Sequence, residues 1–264
     1  MPIRESHVHG TPSWCDMASR DIETAKAFYG ALFGWEMATA PEPEAGGYTM
    51  ALLDGKAAAA LMPQQQAQID MGIPPHWQTY FTVNDVDAMP AKVESAGGTV
   101  MAPPFDVMTA GRMMVAVDRG GAVFCLWEAR DAIGSEVVNE PGAYTWAELY
   151  TGAPTADAPF YAELLGLSVG TEEMGPDMTM TFLQHAGDDV GVATVLPLMA
   201  EDMPPHWMPY FGVVDCDESM ALVRELGGQI HMGPMDIAPG RFAVATDPEG
   251  AAFAIIALTD PPTE

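Results

Sequence analysis

The sequence has few basic residues. Lys and Arg together number 10 against 37 Asp and Glu, so the formal net charge at pH 7 is −27. A surface this acidic repels nucleic-acid phosphates and anionic lipid headgroups, so we expect neither a nucleic acid nor a membrane as partner. No apolar run is long enough to cross a bilayer, and the N-terminus lacks the apolar core of a signal peptide.

Cysteine is also scarce. The three cysteines, Cys15, Cys125 and Cys216, are scattered, which excludes a disulfide framework and a CxxC metal motif. Together with the missing signal peptide, this pattern favours a cytoplasmic location. Hydrophobic residues make up 48% and charged residues 18% of the chain, which is typical of globular proteins. Its 264 residues suffice for two domains.

The chain repeats itself at a spacing of roughly 130 residues, which indicates duplication of one half. Four pairs of segments carry the repeat and occur in the same order in both halves. They are PPHWQTYF (74–81) with PPHWMPYF (204–211), LFG (32–34) with LLG (164–166), PPFDVMTAGRM (103–113) with GPMDIAPGRF (233–242), and DRGG (118–121) with DPEG (247–250).

Each half divides again into two quarters, and each quarter is predicted to contain one strand, one helix and three further strands. In the first quarter, Ser19 or Asp21 can cap the helix and Gly34 can end it. In the second quarter, Asp85 or Asp87 can cap a helix that carries Pro90 in its first turn. Residues 64–75 and 128–142 are predicted to be linkers.

Other acidic positions of the repeat are predicted to be structural. Asp118 and Asp247 begin the turn before the last strand of each half. Asp106 and Asp236 are expected to organise turns, with Arg112 and Arg241 respectively as partners.

Four such units resemble the vicinal-oxygen-chelate superfamily, which contains glyoxalase I, the bleomycin-resistance proteins and the extradiol dioxygenases. More closely, the chain is similar to two-domain glyoxalase-like proteins of actinobacteria. The motifs that carry the resemblance are DIETAKAFYGALFGW (21–35), FTVNDVDA (81–88) with FGVVDCDE (211–218), and DRGGAVFCLW (118–127) with DPEGAAFAII (247–256).

The resemblance implies an α+β fold with two tandem glyoxalase-like domains, in which four βαβββ units form curled mixed-sheet cups. The expected domains are residues 8–128, with units 10–63 and 76–128, and residues 141–258, with units 142–197 and 206–257.

In that family, each cup usually holds a divalent metal ion on His, Gln or Glu side chains from the first and last strands of its units. The resemblance places these positions in the first half on Trp14, Gln78, Ala59 or Ala60, and Cys125. In the second half they fall on Trp146, Met208, Ala193 or Thr194, and Ala254. Because Trp and Ala cannot ligate such ions, we expect no metal and no other cofactor.

One divalent metal remains the alternative. It would require ligands elsewhere, and the available imidazoles are those of His76 and His206 together with His7 or His9.

Side chains alternate across a strand, so residues on the same face as these positions should line the cups. The ligand-binding residues expected in the first cup are Trp14, Asp16, Gln78, Tyr80, Cys125 and Trp127. Those expected in the second cup are Trp146, Glu148, Met208 and Tyr210. The opposite face carries Met17, Phe81, Phe124 and Leu126, which suits packing under the helices. Aromatic walls with one carboxylate suit a small flat or aromatic ligand.

The candidate catalytic groups are two pairs, Asp16 with His76 and Glu148 with His206, which could perform general acid–base chemistry if the side chains meet. In the alternative interpretation, each histidine follows Pro-Pro and sits at a strand entry, bonded to backbone or water. Trp14 and Trp146 can likewise fill the space that a metal leaves.

Three functions remain open from the sequence. The preferred one is binding of a small hydrophobic or aromatic molecule, as in the bleomycin-resistance relatives. The second is catalysis by a metal-dependent or acid–base lyase, hydrolase or dioxygenase of the same superfamily. The third is a structural or partner-binding role. A monomer and a homodimer are both compatible with the sequence.

Overall fold

The computed structural model describes residues 3–175, 178–188, 191–200 and 202–259. The described residues form two eight-stranded mixed sheets and five α-helices, so the predicted α+β fold of four βαβββ units is confirmed. The sheets are curved but do not close into barrels.

The first sheet is built from residues 12–129 and has the strand order β2-β3-β4-β1-β5-β8-β7-β6. Its strands are Pro12–Ser19 (β1), Glu36–Thr39 (β2), Thr49–Leu53 (β3), Lys56–Pro63 (β4), His76–Thr82 (β5), Thr99–Val107 (β6), Gly111–Val117 (β7) and Val123–Ala129 (β8). The two units meet where β1 runs antiparallel to β5, and β1–β4 and β5–β8 are the parallel pairs.

The second sheet is built from residues 144–258 and has the equivalent order β10-β11-β12-β9-β13-β16-β15-β14. Its strands are Tyr144–Thr151 (β9), Ser168–Gly175 (β10), Met178–Gln184 (β11), Gly191–Pro197 (β12), His206–Gly212 (β13), Gln229–Ile237 (β14), Gly240–Thr246 (β15) and Ala252–Leu258 (β16). The helices of the chain are Ile22–Phe33 (α1), Gln66–Asp70 (α2), Met89–Ser95 (α3), Pro154–Leu165 (α4) and Cys216–Glu225 (α5).

The ends of α1 are capped as predicted. The Asp21 carboxylate accepts a hydrogen bond from the Thr24 backbone N–H at 3.2 Å, and Gly34 ends the helix with φ of 72°. The left-handed conformation at Gly34 favours glycine because a Cβ would be strained there.

The start of α3 differs from the prediction. Pro90 lies in its first turn as expected, but Ala88 and not Asp85 or Asp87 precedes the helix. Asp85 accepts a hydrogen bond from the Ala88 N–H, while Asp87 pairs with Arg112 at 2.8 Å. Because Pro90 has no N–H and fixes φ, the helix begins only at Met89.

Both predicted linkers are ordered by hydrogen bonds. Residues 64–75 contain the short helix α2, which Gln65 and Gln68 cap reciprocally. The link between the halves runs along the first sheet, where the Ser135 N–H donates to the Ser13 carbonyl at 2.8 Å. The Glu136 carboxylate accepts from the Ala57 N–H at 2.7 Å.

The helix-bearing faces of the two sheets share one core, which we call the core face of each sheet. Met17, Phe81, Phe124 and Leu126 lie in this core, as predicted for the face opposite the cups. Helix α1 packs on the second sheet, with the Phe33 and Phe211 ring centroids 4.9 Å apart. Helix α4 packs on the first sheet, with the Tyr161 and Phe124 centroids 5.2 Å apart. The first helix of each half therefore contacts the core face of the sheet in the other half.

Two buried hydrogen-bond chains also cross between the halves, each made of a tryptophan, a tyrosine and an aspartate. In each, the indole N–H donates to the tyrosine hydroxyl, and that hydroxyl donates to a carboxylate of the other half. The chains are Trp77–Tyr29–Asp247, with distances of 3.0 and 3.0 Å, and Trp207–Tyr161–Asp118, with distances of 2.9 and 2.8 Å.

The acidic turn residues are structural, as predicted. Asp118 accepts hydrogen bonds from the N–H groups of residues 120, 121 and 122, which close the turn before β8. Arg112 pairs with Asp106 at 3.0 Å, and Arg241 pairs with Asp236 at 2.9 Å. Among the helices of the described chain, none is both long and apolar enough to span a bilayer.

Candidate functional site

The face of each sheet opposite the core face carries a separate cluster, which we call the first cup and the second cup. The side chains that pack in the first cup include Trp14, Ala60, Tyr80, Cys125 and Trp127, with Tyr48 at the edge. Those of the second cup include Trp146, Tyr150, Met208, Tyr210, Phe242, Ala254 and Ile256. The structure therefore brings together the aromatic residues that alternation along the strands placed on these faces.

A buried carboxyl group lies at the centre of the first cup. Asp16 is 1% exposed and accepts three hydrogen bonds, from the hydroxyls of Tyr48 and Tyr80 and from the amide of Gln78. Their lengths are 3.1, 2.8 and 3.2 Å respectively. Burial raises the pKa of Asp16 to about 6, although the hydrogen bonds oppose that shift.

The second cup has an equivalent carboxyl group with fewer donors. Glu148 is 9% exposed, and its Oε2 atom accepts from the hydroxyls of Tyr150 at 2.7 Å and Tyr210 at 2.6 Å. Burial raises the pKa of Glu148, again against the effect of the two hydroxyls. Across β9 and β13, Glu148 lies opposite Met208, where the first cup has Asp16 opposite Gln78.

The two histidines begin β5 and β13 and bond to the backbone, as the strand-entry alternative predicts. The Nδ1–H of His76 donates to the Pro74 carbonyl at 2.8 Å, and that of His206 to the Pro204 carbonyl at 2.9 Å. Burial lowers the pKa of both imidazoles, so they are neutral near pH 7.

The predicted catalytic pairs are not hydrogen-bonded among the residues that the structure describes. His76 lies opposite Ala18 on β1, two cross-strand pairs beyond Asp16, and the hydrogen bonds of Asp16 come from two tyrosines and a glutamine. His206 lies opposite Tyr150, and their rings stack with centroids 5.5 Å apart. In both cups, the carboxylate is hydrogen-bonded by tyrosine hydroxyls and not by the histidine that the sequence suggested.

Tyr48 is a site residue that the sequence analysis missed. It directly precedes β3, two residues before Met50 of the same cup, and its hydroxyl accepts from the Trp14 indole at 3.0 Å and donates to Asp16. In the second cup the Trp146 indole donates instead to the Thr194 hydroxyl at 2.8 Å. The available signal for Tyr48 was its place in the apolar segment YTMALLDG (48–55), where alternation puts it on the same face as Met50.

The donor set of the first cup does not fit a divalent metal ion. Asp16 lies level with Ala60 and Gln78, whereas Trp14 lies opposite Tyr80, two pairs away. Ala60 has no ligating atom, and Asp16 already accepts three hydrogen bonds. Among the described residues around Asp16, the oxygens belong to one carboxylate, one amide and two tyrosine hydroxyls, with no imidazole or second carboxylate beside them. A hard divalent ion prefers several carboxylate or imidazole ligands at one point.

The second cup offers only one carboxylate level with Thr194 and Met208. The alternative histidine set is also dispersed, because His7 bonds to the Ser135 carbonyl and His9 accepts from the Asn84 N–H. Within the described ranges, no group of three or more His, Cys, Asp or Glu side chains could hold a metal ion.

Comparison with known proteins supports the fold and extends over nearly the whole chain. The sequence profile of the Glyoxalase/Bleomycin resistance protein/Dioxygenase superfamily matches residues 11–126. "Putative glyoxylase CFP32" of Mycobacterium tuberculosis (strain CDC 1551 / Oshkosh) is 41% identical over 258 residues, covering 97% of this chain and 98% of that protein. "Anthracycline biosynthesis protein DnrV" of Streptomyces peucetius is 36% identical over 261 residues, covering 95% and 94%.

Two solved structures show the same fold at low sequence identity. The Mn(II)-bound glyoxalase from Novosphingobium aromaticivorans superimposes with a TM-score of 0.64 at 18% identity, covering 97% of this chain and 86% of that chain. The 2,3-dioxygenase LapB from Pseudomonas sp. KL28 superimposes with a TM-score of 0.67 at 14% identity, covering 96% and 93%.

Proposed function

Because the chain belongs to the glyoxalase/bleomycin resistance protein/dioxygenase superfamily, we propose that it binds a small apolar or aromatic molecule in its cups without a metal ion. Members of this superfamily bind small-molecule substrates, and the names of both relatives describe small-molecule chemistry. The observation that carries the proposal is the content of the cups, where a carboxyl group and aromatic side chains stand in place of a metal-ligand set.

The chemistry of the cups supports this proposal. Trp and Tyr offer large rigid surfaces that stack on flat ligands, and an apolar wall with few polar groups is typical of small-molecule sites. In the second cup, Trp146 is half-buried and so has ring surface left for a ligand, with Phe242 and Leu196 in the same cluster.

Replacing Trp146 with alanine should weaken the binding of a neutral aromatic probe. We expect the dissociation constant of N-phenyl-1-naphthylamine, followed by its fluorescence, to rise about tenfold, because the main stacking surface is lost. The matched control is Val214→Ala, since Val214 is 85% exposed on a loop. Probe binding that does not saturate in the native protein, or that Trp146→Ala and Val214→Ala affect equally, contradicts the proposal.

Acid–base catalysis is a second candidate function, and the pKa of Asp16 favours it. A carboxyl group with a pKa of about 6 exists in both protonation states near neutral pH, which suits proton transfer. Its neighbours would be Tyr48 and Tyr80 rather than His76. A pH–rate profile that breaks near pH 6 and is lost in Asp16→Asn would distinguish catalysis from binding alone.

A further inference from the structure

The second cup contains a carboxylate oxygen without a protein partner. Glu148 is nine-tenths buried, and both of its tyrosine donors bind the Oε2 atom. Within residues 3–175, 178–188, 191–200 and 202–259, no hydrogen bond reaches Oε1. Among the described residues, this oxygen is not one of the fully buried polar atoms that lack a partner.

One difference between the halves accounts for this free oxygen. In the first cup, the amide of Gln78 donates to Asp16 Oδ1, so that both oxygens of that carboxylate are occupied. Met208 holds the equivalent position opposite Glu148 and has no hydrogen to donate. The first cup is therefore satisfied internally, and the second is not.

The remaining hydrogen-bonding capacity of the second cup consists mainly of acceptors. The hydroxyls of Tyr150 and Tyr210 donate to Glu148, and the Trp146 indole donates to Thr194. The Nδ1–H of His206 is bound to the Pro204 carbonyl, which leaves the Nε2 lone pair of the neutral ring. A ligand that complements such a site must bring N–H or O–H donors.

Charge points in the same direction. Among the described residues, no Lys or Arg forms an ion pair with Glu148, and the chain carries a net charge of −27. Burying a carboxylate with only neutral partners has an unfavourable desolvation free energy, and a bound cation offsets part of it. An anionic ligand would find neither a cation nor a free N–H group on these side chains.

The surrounding rings suit an organic cation. Tyr150 and His206 stack beside the carboxylate, and the Tyr210 and Phe242 centroids lie 6.0 Å apart. Aromatic faces attract ammonium groups, most strongly where water is excluded. We propose that the second cup, and not the first, binds an organic amine as its ammonium ion, with N–H groups on Glu148 Oε1 and an apolar body against Trp146. This inference rests on the proposed function and specifies its ligand class and site.

A matched pair of probes tests the inference. The 2-phenylethylammonium ion and neutral 2-phenylethanol differ mainly in charge, and calorimetric titration at pH 7.5 gives both dissociation constants. We expect the native protein to bind the amine about tenfold or more tightly than the alcohol. Glu148→Gln should weaken amine binding about tenfold and alcohol binding by a smaller factor, because the charged hydrogen bond of the ammonium group is the stronger one. Met208→Gln should have the same effect, because the glutamine at 208 supplies the donor that Gln78 supplies in the first cup.

Val214→Ala, at a loop position that is 85% exposed, is the control and should leave both affinities unchanged. Equal binding of amine and alcohol, or amine binding that neither Glu148→Gln nor Met208→Gln reduces, overturns the inference but leaves binding in the cups intact. Absence of binding by either probe contradicts the proposed function as well. Circular dichroism of each variant separates a lost site from a lost fold, and Met208→Gln keeps the carboxylate in place if Glu148→Gln does not fold.

Discussion

Replacing Asp118 with alanine is expected to destabilise the protein by about 3 kcal/mol, although the residue lies far from both cups. Asp118 is 4% exposed and accepts four hydrogen bonds, three from the backbone of its turn and one from Tyr161 in the other half. Its removal leaves the Ala122 N–H and the Tyr161 hydroxyl without their acceptor inside the protein. Urea denaturation at pH 7, followed by circular dichroism, measures the loss.

Two further variants separate the turn from the contact between the halves. Asp118→Asn retains an oxygen for the turn N–H groups but replaces the oxygen that faces Tyr161, so about 1 to 2 kcal/mol should be lost. Asp131→Ala, at an exposed position, should change the free energy of unfolding by less than about 0.5 kcal/mol. If Asp118→Ala behaves like Asp131→Ala, the buried chains do not join the halves as described.

Asp16→Asn is expected to make the protein more stable at pH 8 than the native chain, by an amount that disappears in acid. The pKa of Asp16 is raised from 3.8 to about 6, so the folded state disfavours the charged form. The penalty is complete above about pH 6, shrinks as the pH falls, and is absent below about pH 4. Such a shift corresponds to roughly 3 kcal/mol, from which any weakening of the hydrogen bonds in the variant must be subtracted.

The difference between variant and native free energies of unfolding, measured in urea at pH 4.5 and pH 8, isolates this group from the other carboxylates. Asp106→Asn provides a control of opposite sign, because Arg112 lowers the pKa of Asp106 and the ion pair stabilises the protein fully above the unfolded pKa of 3.8. Both pH values lie above that pKa, so this variant should be less stable than the native protein by a similar amount at each. A difference for Asp16→Asn that is independent of pH would contradict the raised pKa that burial gives this carboxyl group.

Local features of the fold were predictable because neighbouring residues determine them. Asp21 and Gly34 cap α1 through groups within a few residues, and alternation along β1 correctly separates Trp14 in the cup from Cys15 in the core. The start of α3 was harder to predict, because aspartate is a common helix cap and Asp85 therefore looked like one. Its counterpart Asp215 does cap α5, but Pro90 delays the start of α3 to Met89.

Contacts between distant residues were not predictable from pattern. Tyr29 and Asp247 are 218 residues apart and meet only because α1 packs on the second sheet. The predicted pairing of Asp16 with His76 was wrong for a related reason. A strand pattern gives the face on which His76 lies, but the Pro74 carbonyl binds its ring, and Tyr48 reaches Asp16 from outside a strand.

We propose that the cups bind their ligand without a metal ion, so the metal content of the purified protein is the measurement to make first. Protein purified without chelator and without an affinity metal should contain far less than one transition-metal ion per chain by elemental mass analysis. It should remain so after incubation with Mn²⁺ or Fe²⁺ and gel filtration, because Asp16 and Glu148 stand in their cups without a second and third ligand. One tightly held ion per chain would contradict the account and would favour the lyase or dioxygenase alternative.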